Sequence, residues 1–174
     1  MRNAVLVLLT RSKGEVEELL LAYKRTGEIG IGHASAPGGK VDARESLRHA
    51  CTRETWEEFR ITIPNNKDML REVAVLDSFE AVGQEEFKHF MRVFIYAGRA
   101  FGGEPLETDD MHKPFWSAFH QIPYQDMYPG DEQWMPQVLR GETDQTHFQV
   151  YRRDGVLVRF TQKALLPFDK LMET

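Results

Sequence analysis

The sequence predicts a mixed α/β domain in which a sheet is packed by helices, and three features predict it. Residues 4–10 form a continuous apolar run bounded by polar residues, the pattern of a strand covered on both faces. Residues 45–59 lack Pro and Gly and carry an apolar stripe at Leu47, Ala50, Cys51 and Phe59, as a helix lying on a sheet would. Residues 73–79 and 87–96 read as longer strands, the second rich in β-branched and aromatic side chains.

The remaining elements follow in order. Residues 11–17 are polar and contain Gly14, so a turn is expected there. It leads to a second strand at 18–24 that could close a hairpin with the first. Gly27, Gly30, Gly32, Gly38 and Gly39 come next. Such density points to unusual backbone angles or to a close approach of backbone to a ligand. Residues 101–110 read as a loop, 115–119 as a short strand and 121–123 as a turn. Asp131 is placed to N-cap a short helix ending at Leu139. Strands at 146–152 and 156–161 flank Asp154-Gly155, a good hairpin turn. There is no repeat, low-complexity tract or linker, so residues 1–174 read as one domain.

Composition narrows the function. Hydrophobic residues make up 41% and charged residues 28%, ordinary for a soluble globular protein. The net charge of −5 argues against a stable nucleic-acid partner, whose binding face is usually basic. It leaves room for a nucleotide substrate, because a bound metal supplies positive charge locally. The apolar run near the N-terminus is far shorter than the about 20 residues that span a bilayer, and no small-residue cleavage site follows it. Cys51 is the single cysteine, which excludes an internal disulfide and fits a reducing compartment. The expectation is a cytoplasmic protein with no membrane partner.

The chemistry lies in Arg53-Glu54-Thr55-Trp56-Glu57-Glu58. At about 100° per residue, Glu57 falls about 60° to one side of Glu54 and Glu58 about 40° to the other, so the three carboxylates share a face. Like charges at these spacings repel by a few tenths of a kcal/mol per pair, and nothing on that face neutralises them. A cluster of oxygens suits Mg²⁺ or Mn²⁺, which take a few carboxylates together with waters and substrate phosphates. On periodicity alone, a solvated acidic face explains the cluster as well.

Upstream spacing separates these readings. Gly39, five residues, Glu45, seven residues, then Arg53-Glu54-x-x-Glu57-Glu58 and the aliphatic Ile61 resemble the signature of the Nudix hydrolase family, G-x5-E-x7-R-E-U-x-E-E-x-G-U. Thr55 stands where an aliphatic residue is usual and Arg60 where the second glycine is usual. Arg60 in a left-handed helix cap would cost about 1 kcal/mol, unless the turn takes another form. Thr55 can bond its hydroxyl to a carbonyl one turn earlier. The resemblance implies a Nudix-type α/β/α sandwich with a mixed β-sheet. It implies that Glu54, Glu57 and Glu58 bind divalent metal with help from the Gly38 carbonyl, one glutamate also able to take a proton from water. It implies that Arg53 and Glu45 pair to orient these carboxylates. A surface pair of Arg53 with Glu57 is the simpler alternative. Lys40 would contact phosphate, and Lys24 or Arg25 could as well. The six histidines are scattered, and His89 reads as a satisfied core or pocket residue. No Ser-His-Asp or Cys-His nucleophile is evident.

The likeness extends through Glu107-Thr108-Asp109-Asp110-Met111, Trp116 and residues 121–134, which look like the MutT-like branch typified by the oxidised-purine nucleoside triphosphatases. That branch implies a metal-binding role for Asp110, although Glu is usual there. It also implies a base pocket built in part from Tyr128 and Asp131. Trp134 can stack on a base too, or serve as a core aromatic of the short helix. The branch has two adjacent aspartates where this chain reads Gly130-Asp131, and an asparagine where Ser35 stands. With an amide and a carboxylate gone, strict preference for oxidised purines does not carry over. The leading expectation is Mg²⁺-dependent hydrolysis of nucleoside triphosphates, purine-type and open to modified bases, to monophosphate and pyrophosphate. The alternatives are an RNA 5′-pyrophosphohydrolase, a nucleotide-sugar hydrolase, or a non-catalytic nucleotide-binding module.

Overall fold

A computed structural model describes residues 2–99, 101–142 and 146–164. Among these residues, nine strands and two α-helices follow in the order β1 (Asn3–Lys13), β2 (Val16–Lys24), β3 (Ala34–Ser35), β4 (Gly38–Lys40), α1 (Leu47–Phe59), β5 (Leu70–Ala81), β6 (Phe87–Gly98), β7 (Met111–Ala118), α2 (Asp131–Leu139), β8 (Thr146–Arg153) and β9 (Val156–Ala164). The main sheet runs β3-β2-β1-β6-β5-β8-β9, with β4 added to β1 and β7 added to β2. It is mixed: β1 lies parallel to β6 and β5 parallel to β8, and the other pairings are antiparallel.

Strand alternation sorts the core into two layers. Val5, Val7 and Leu9 of β1 face α1 and pack with Ala50, Cys51 and Phe59. Leu8 of β1, Leu76 of β5 and Phe148 of β8 face the other way and pack with Trp134, Met135 and Val138 of α2. Helices therefore cover opposite faces of one sheet, the expected α/β/α sandwich. No helix among the described residues is long and apolar enough to cross a membrane.

Several boundaries differ from the sequence reading. The first hairpin continues to Lys13 and Val16, with its turn at Gly14 and Glu15. Its polar end projects beyond the core and is held by Arg11–Glu18 at 2.7 Å. Helix α1 starts at Leu47 with Ser46 as N-cap, whose side chain accepts from the His49 amide. Glu45 lies outside the helix. Strand β7 begins at Met111 and ends at Ala118, followed by a 3₁₀ turn at Phe119–Gln121. Asp131 is the first residue of α2 and not its N-cap. Gly130 occupies the cap at φ 109°, and the Asp131 carboxylate accepts from Trp134 Nε1 at 3.0 Å.

Candidate active site

Helix α1 meets the Gly38–Lys40 strand at its acidic face. Glu58 is buried, and its Oε2 accepts from the Gly38 amide at 2.9 Å. Its Oε1 lies 3.3 Å from Lys24 Nζ. Glu54, also buried, packs on Gly39 so closely that a Cβ there would stand 2.5 Å from Oε1. A Cβ at Gly38 would collide with the backbone oxygen of Val5. Both glycines are therefore required by close approach, one to a carboxylate and one to a strand. Glu57 differs: its side chain is 49% exposed and turns outward to Arg53.

Arg53 ties the face together. Its guanidinium donates to Glu45 through Nε and Nη2, each at 2.9 Å. Nη1 donates to Glu54 at 2.8 Å and Glu57 at 3.0 Å, and Nη2 also donates to the Lys40 carbonyl at 2.9 Å. The two expected pairings of Arg53 thus coexist. The face expected to lack neutralisation has a cation bridging two of its three acids, because Arg53 reaches round the helix. Burial pushes the Glu58 carboxyl up to about 7, against the opposing pull of Lys24 and the Gly38 amide. Burial also raises Glu54, with Arg53 pulling the other way. Thr55 is buried and donates to the Cys51 carbonyl at 2.7 Å, satisfying its hydroxyl at an apolar position. Arg60 adopts the left-handed cap at φ 57°.

The donor set suits a hard divalent cation. Glu54, Glu58 and the Gly38 carbonyl present only oxygen, and Lys24 Nζ, a cation, stands 3.4 Å from Gly38 O and 3.3 Å from Glu58. The protein thus already places positive charge between two of the donors. Among the described residues, no three acidic, His or Cys side chains converge on one point, since Glu57 is turned toward Arg53. Asp110 is half-buried on the loop before β7 and accepts from Thr26 Oγ1.

A cavity of about 450 Å³ runs from this edge to α2. Lys24, Gly38, Gly39 and Lys40 line one end, and Tyr128, Asp131 and Trp134 line the other. Lys40 at the rim pairs with Glu28 at 3.0 Å. Ser35 donates to the Ala36 carbonyl at 2.9 Å. Trp134 is fully buried, so it belongs to the core as well as to the cavity wall. Burial pushes the Asp131 carboxyl up to about 6. His89 lies off this cavity, with Nε2 3.0 Å from Asp77.

Sequence reasoning missed Ser78 and Arg152, which also line the cavity. A signal existed for Arg152: in β8 it shares a face with Phe148 and Val150, both fully buried, so alternation places its charge inside. Nothing local in the sequence marks Ser78.

Fold and site together define a Nudix hydrolase: the model of the NUDIX domain matches residues 1–138, and the chain belongs to that family. Such enzymes act on nucleotide substrates and generally use divalent metal ions. The chain is 33% identical over 141 residues to the Mus musculus oxidized purine nucleoside triphosphate hydrolase, covering 81% of this chain and 84% of that protein. It is 31% identical to the Danio rerio protein of the same name, covering 80% and 83%. Among solved structures, a MutT protein from Bacillus halodurans superposes with TM-score 0.75 at 19% identity, over 94% of this chain and 98% of that one. It is a likeness of fold.

Proposed function

We propose that the chain hydrolyses purine nucleoside triphosphates, modified bases included, to monophosphate and pyrophosphate in a Mg²⁺-dependent reaction, with Mn²⁺ as a substitute. The observation that carries this reading is one cavity that runs from Lys24, Gly38 and Gly39, the residues against which Glu58 and Glu54 are held, to an aromatic pocket at Tyr128. Phosphates and a base have separate, connected places in it. The names of the mouse and zebrafish relatives support the triphosphate and the purine.

In this reading Glu54, Glu57, Glu58 and the Gly38 carbonyl would hold the metal, Glu57 exchanging its Arg53 partner for it. Asp110 is a further candidate ligand at the loop. A divalent cation held there would supply a lower pKa for an attacking water and charge to offset that developing on the phosphates. Arg53 and Glu45 keep Glu54 in place against Gly39. Lys24 and Lys40 bind phosphate oxygens, Lys40 by exchanging its Glu28 partner. Tyr128 stacks on the base, Trp134 holds Asp131, and Asp131 and Ser35 lie along the base edge. We infer that residues 1–174 act as one catalytic domain. The single, buried Cys51 is in keeping with the cytoplasm.

The test is pyrophosphate release from a nucleotide panel at graded Mg²⁺, with 5′-triphosphate RNA and nucleotide sugars alongside. Turnover of purine triphosphates well above the others is expected. Faster turnover of RNA or a nucleotide sugar would replace the substrate assignment, and tight nucleotide binding with no turnover would leave only a binding module.

A further inference from the structure

A buried guanidinium forms part of the cavity wall next to Tyr128. Arg152 is 1% exposed, and its Cζ lies 4.2 Å from the Tyr128 ring centroid. Nε donates to the Pro129 carbonyl at 2.6 Å and Nη1 to Ser78 Oγ at 2.7 Å. The ion-pair partner is Glu80, 3.8 Å from Nη1. Among the described residues, Nη2 has no hydrogen-bond acceptor. A buried cation is costly when its donors are unmet, so this nitrogen is suited to a ligand.

The surroundings leave room for one. Arg152 and Ser78 line the cavity together with Tyr128, so the space beside the guanidinium is the cavity itself. Asp131 lines the same cavity. Ser35 spends its hydroxyl proton on the Ala36 carbonyl, so it brings no donor to a base.

We propose that Arg152 reads the base: Nη2 donates to the 6-oxo group of a purine while Asp131 accepts from the neighbouring ring N–H. The pairing selects guanine- and hypoxanthine-type nucleotides over 6-aminopurines. A 6-oxopurine presents an acceptor beside a donor, and Arg is well matched to the O6 of guanine. Adenine would set its amino donor against the guanidinium. This inference rests on the proposed nucleotide hydrolysis and narrows its substrate.

The experiment compares kcat/KM for dGTP, dITP, dATP and purine deoxyriboside triphosphate, which lacks any 6-substituent. Wild-type enzyme should favour dGTP and dITP on the order of 10- to 100-fold, the effect of one unmet buried hydrogen bond. In Arg152→Met the ratio should fall toward one, and Arg152→Lys should restore part of it. A folded Arg152→Met protein with the wild-type ratio overturns the proposal. If that variant does not fold, the wild-type comparison of dITP with purine deoxyriboside triphosphate reads the Arg152 and Asp131 contacts together, and equal values overturn the proposal. If wild type hydrolyses none of the four, the function proposed above fails, and calorimetric binding of that pair to wild type and Arg152→Lys tests the base reading independently: equal affinities in wild type overturn it.

Discussion

The Glu54 carboxylate rests on the α-carbon of Gly39, and a Cβ at that position would stand 2.5 Å from Oε1. Its neighbour Gly38 is closed off by the Val5 carbonyl instead. The two glycines should therefore fail in different ways. Gly39→Ala displaces only a side-chain end, so the melting temperature should change little. Because misplacing a reacting group by about 1 Å can cost 10²-fold, kcat/KM should fall on the order of 100-fold. Gly38→Ala presses on backbone and should lower stability first, read as a drop in Tm. Equal activity in wild type and Gly39→Ala would overturn this account of the site.

Glu57 is the exposed member of the cluster and is held by Arg53. Its replacement should leave the core untouched. Glu57→Gln is expected to keep the wild-type Tm and lose on the order of 10³-fold in rate, with weaker Mg²⁺ binding by calorimetry. Losing several kcal/mol of charge stabilisation has that effect. Near-normal turnover would remove Glu57 from the metal site.

Asp77 predicts the response to acid. This buried carboxylate receives Arg92 Nε at 2.8 Å, with His147 Nε2 at 2.8 Å and His89 Nε2 at 3.0 Å. Although burial opposes it, these partners together hold the Asp77 carboxyl well below its ordinary value. A folded pKa below the unfolded one stabilises above the unfolded value, about 3.9 for aspartate. That stability is lost as pH falls from there through the folded pKa. Melting curves should therefore steepen downward below about pH 4. Asp77→Asn should lower stability at pH 7 by about 3–5 kcal/mol, as breaking a buried pair does, and flatten the acid limb. An unchanged limb would contradict this.

Arg60 should be improvable. It holds a left-handed cap at φ 57°, where a side chain costs about 1–2 kcal/mol. Its contacts with Trp56, a 3.4 Å bond to the carbonyl and a guanidinium over the ring, offset part of this. Arg60→Gly should raise Tm by about 2–4 °C, the shift for about 1 kcal/mol in a chain of this size. A lower Tm would show that the Trp56 contacts outweigh the strain.

The acidic helix was legible in the sequence because its information is local. Spacing along one helix placed Glu54, Glu57 and Glu58 together, and the run to Gly39 tied them to the glycine pair. The different fates of the three carboxylates were not legible. They depend on where β4 lies against α1 and on how far Arg53 reaches. Asp131 was misread as an N-cap because the competing donor, Trp134 Nε1, arrives only once the helix has formed. The order of the sheet, with β1 beside β6 and β5 beside β8, rests on pairings between distant segments that no local pattern announces. Arg152 comes to Tyr128 through the same long-range pairing, which explains its absence from a motif-based reading.

The two core layers noted in the fold have an engineering consequence. In the function proposed above, reaction chemistry sits at the α1 layer, while base contacts hang on β5, β8 and the turn before α2. Libraries that randomise Ser78, Tyr128 and Arg152 therefore touch neither the packing of α1 nor the Gly39–Glu54 contact. Such a chain is a chassis whose choice of base can be retooled while its hydrolytic engine is left running.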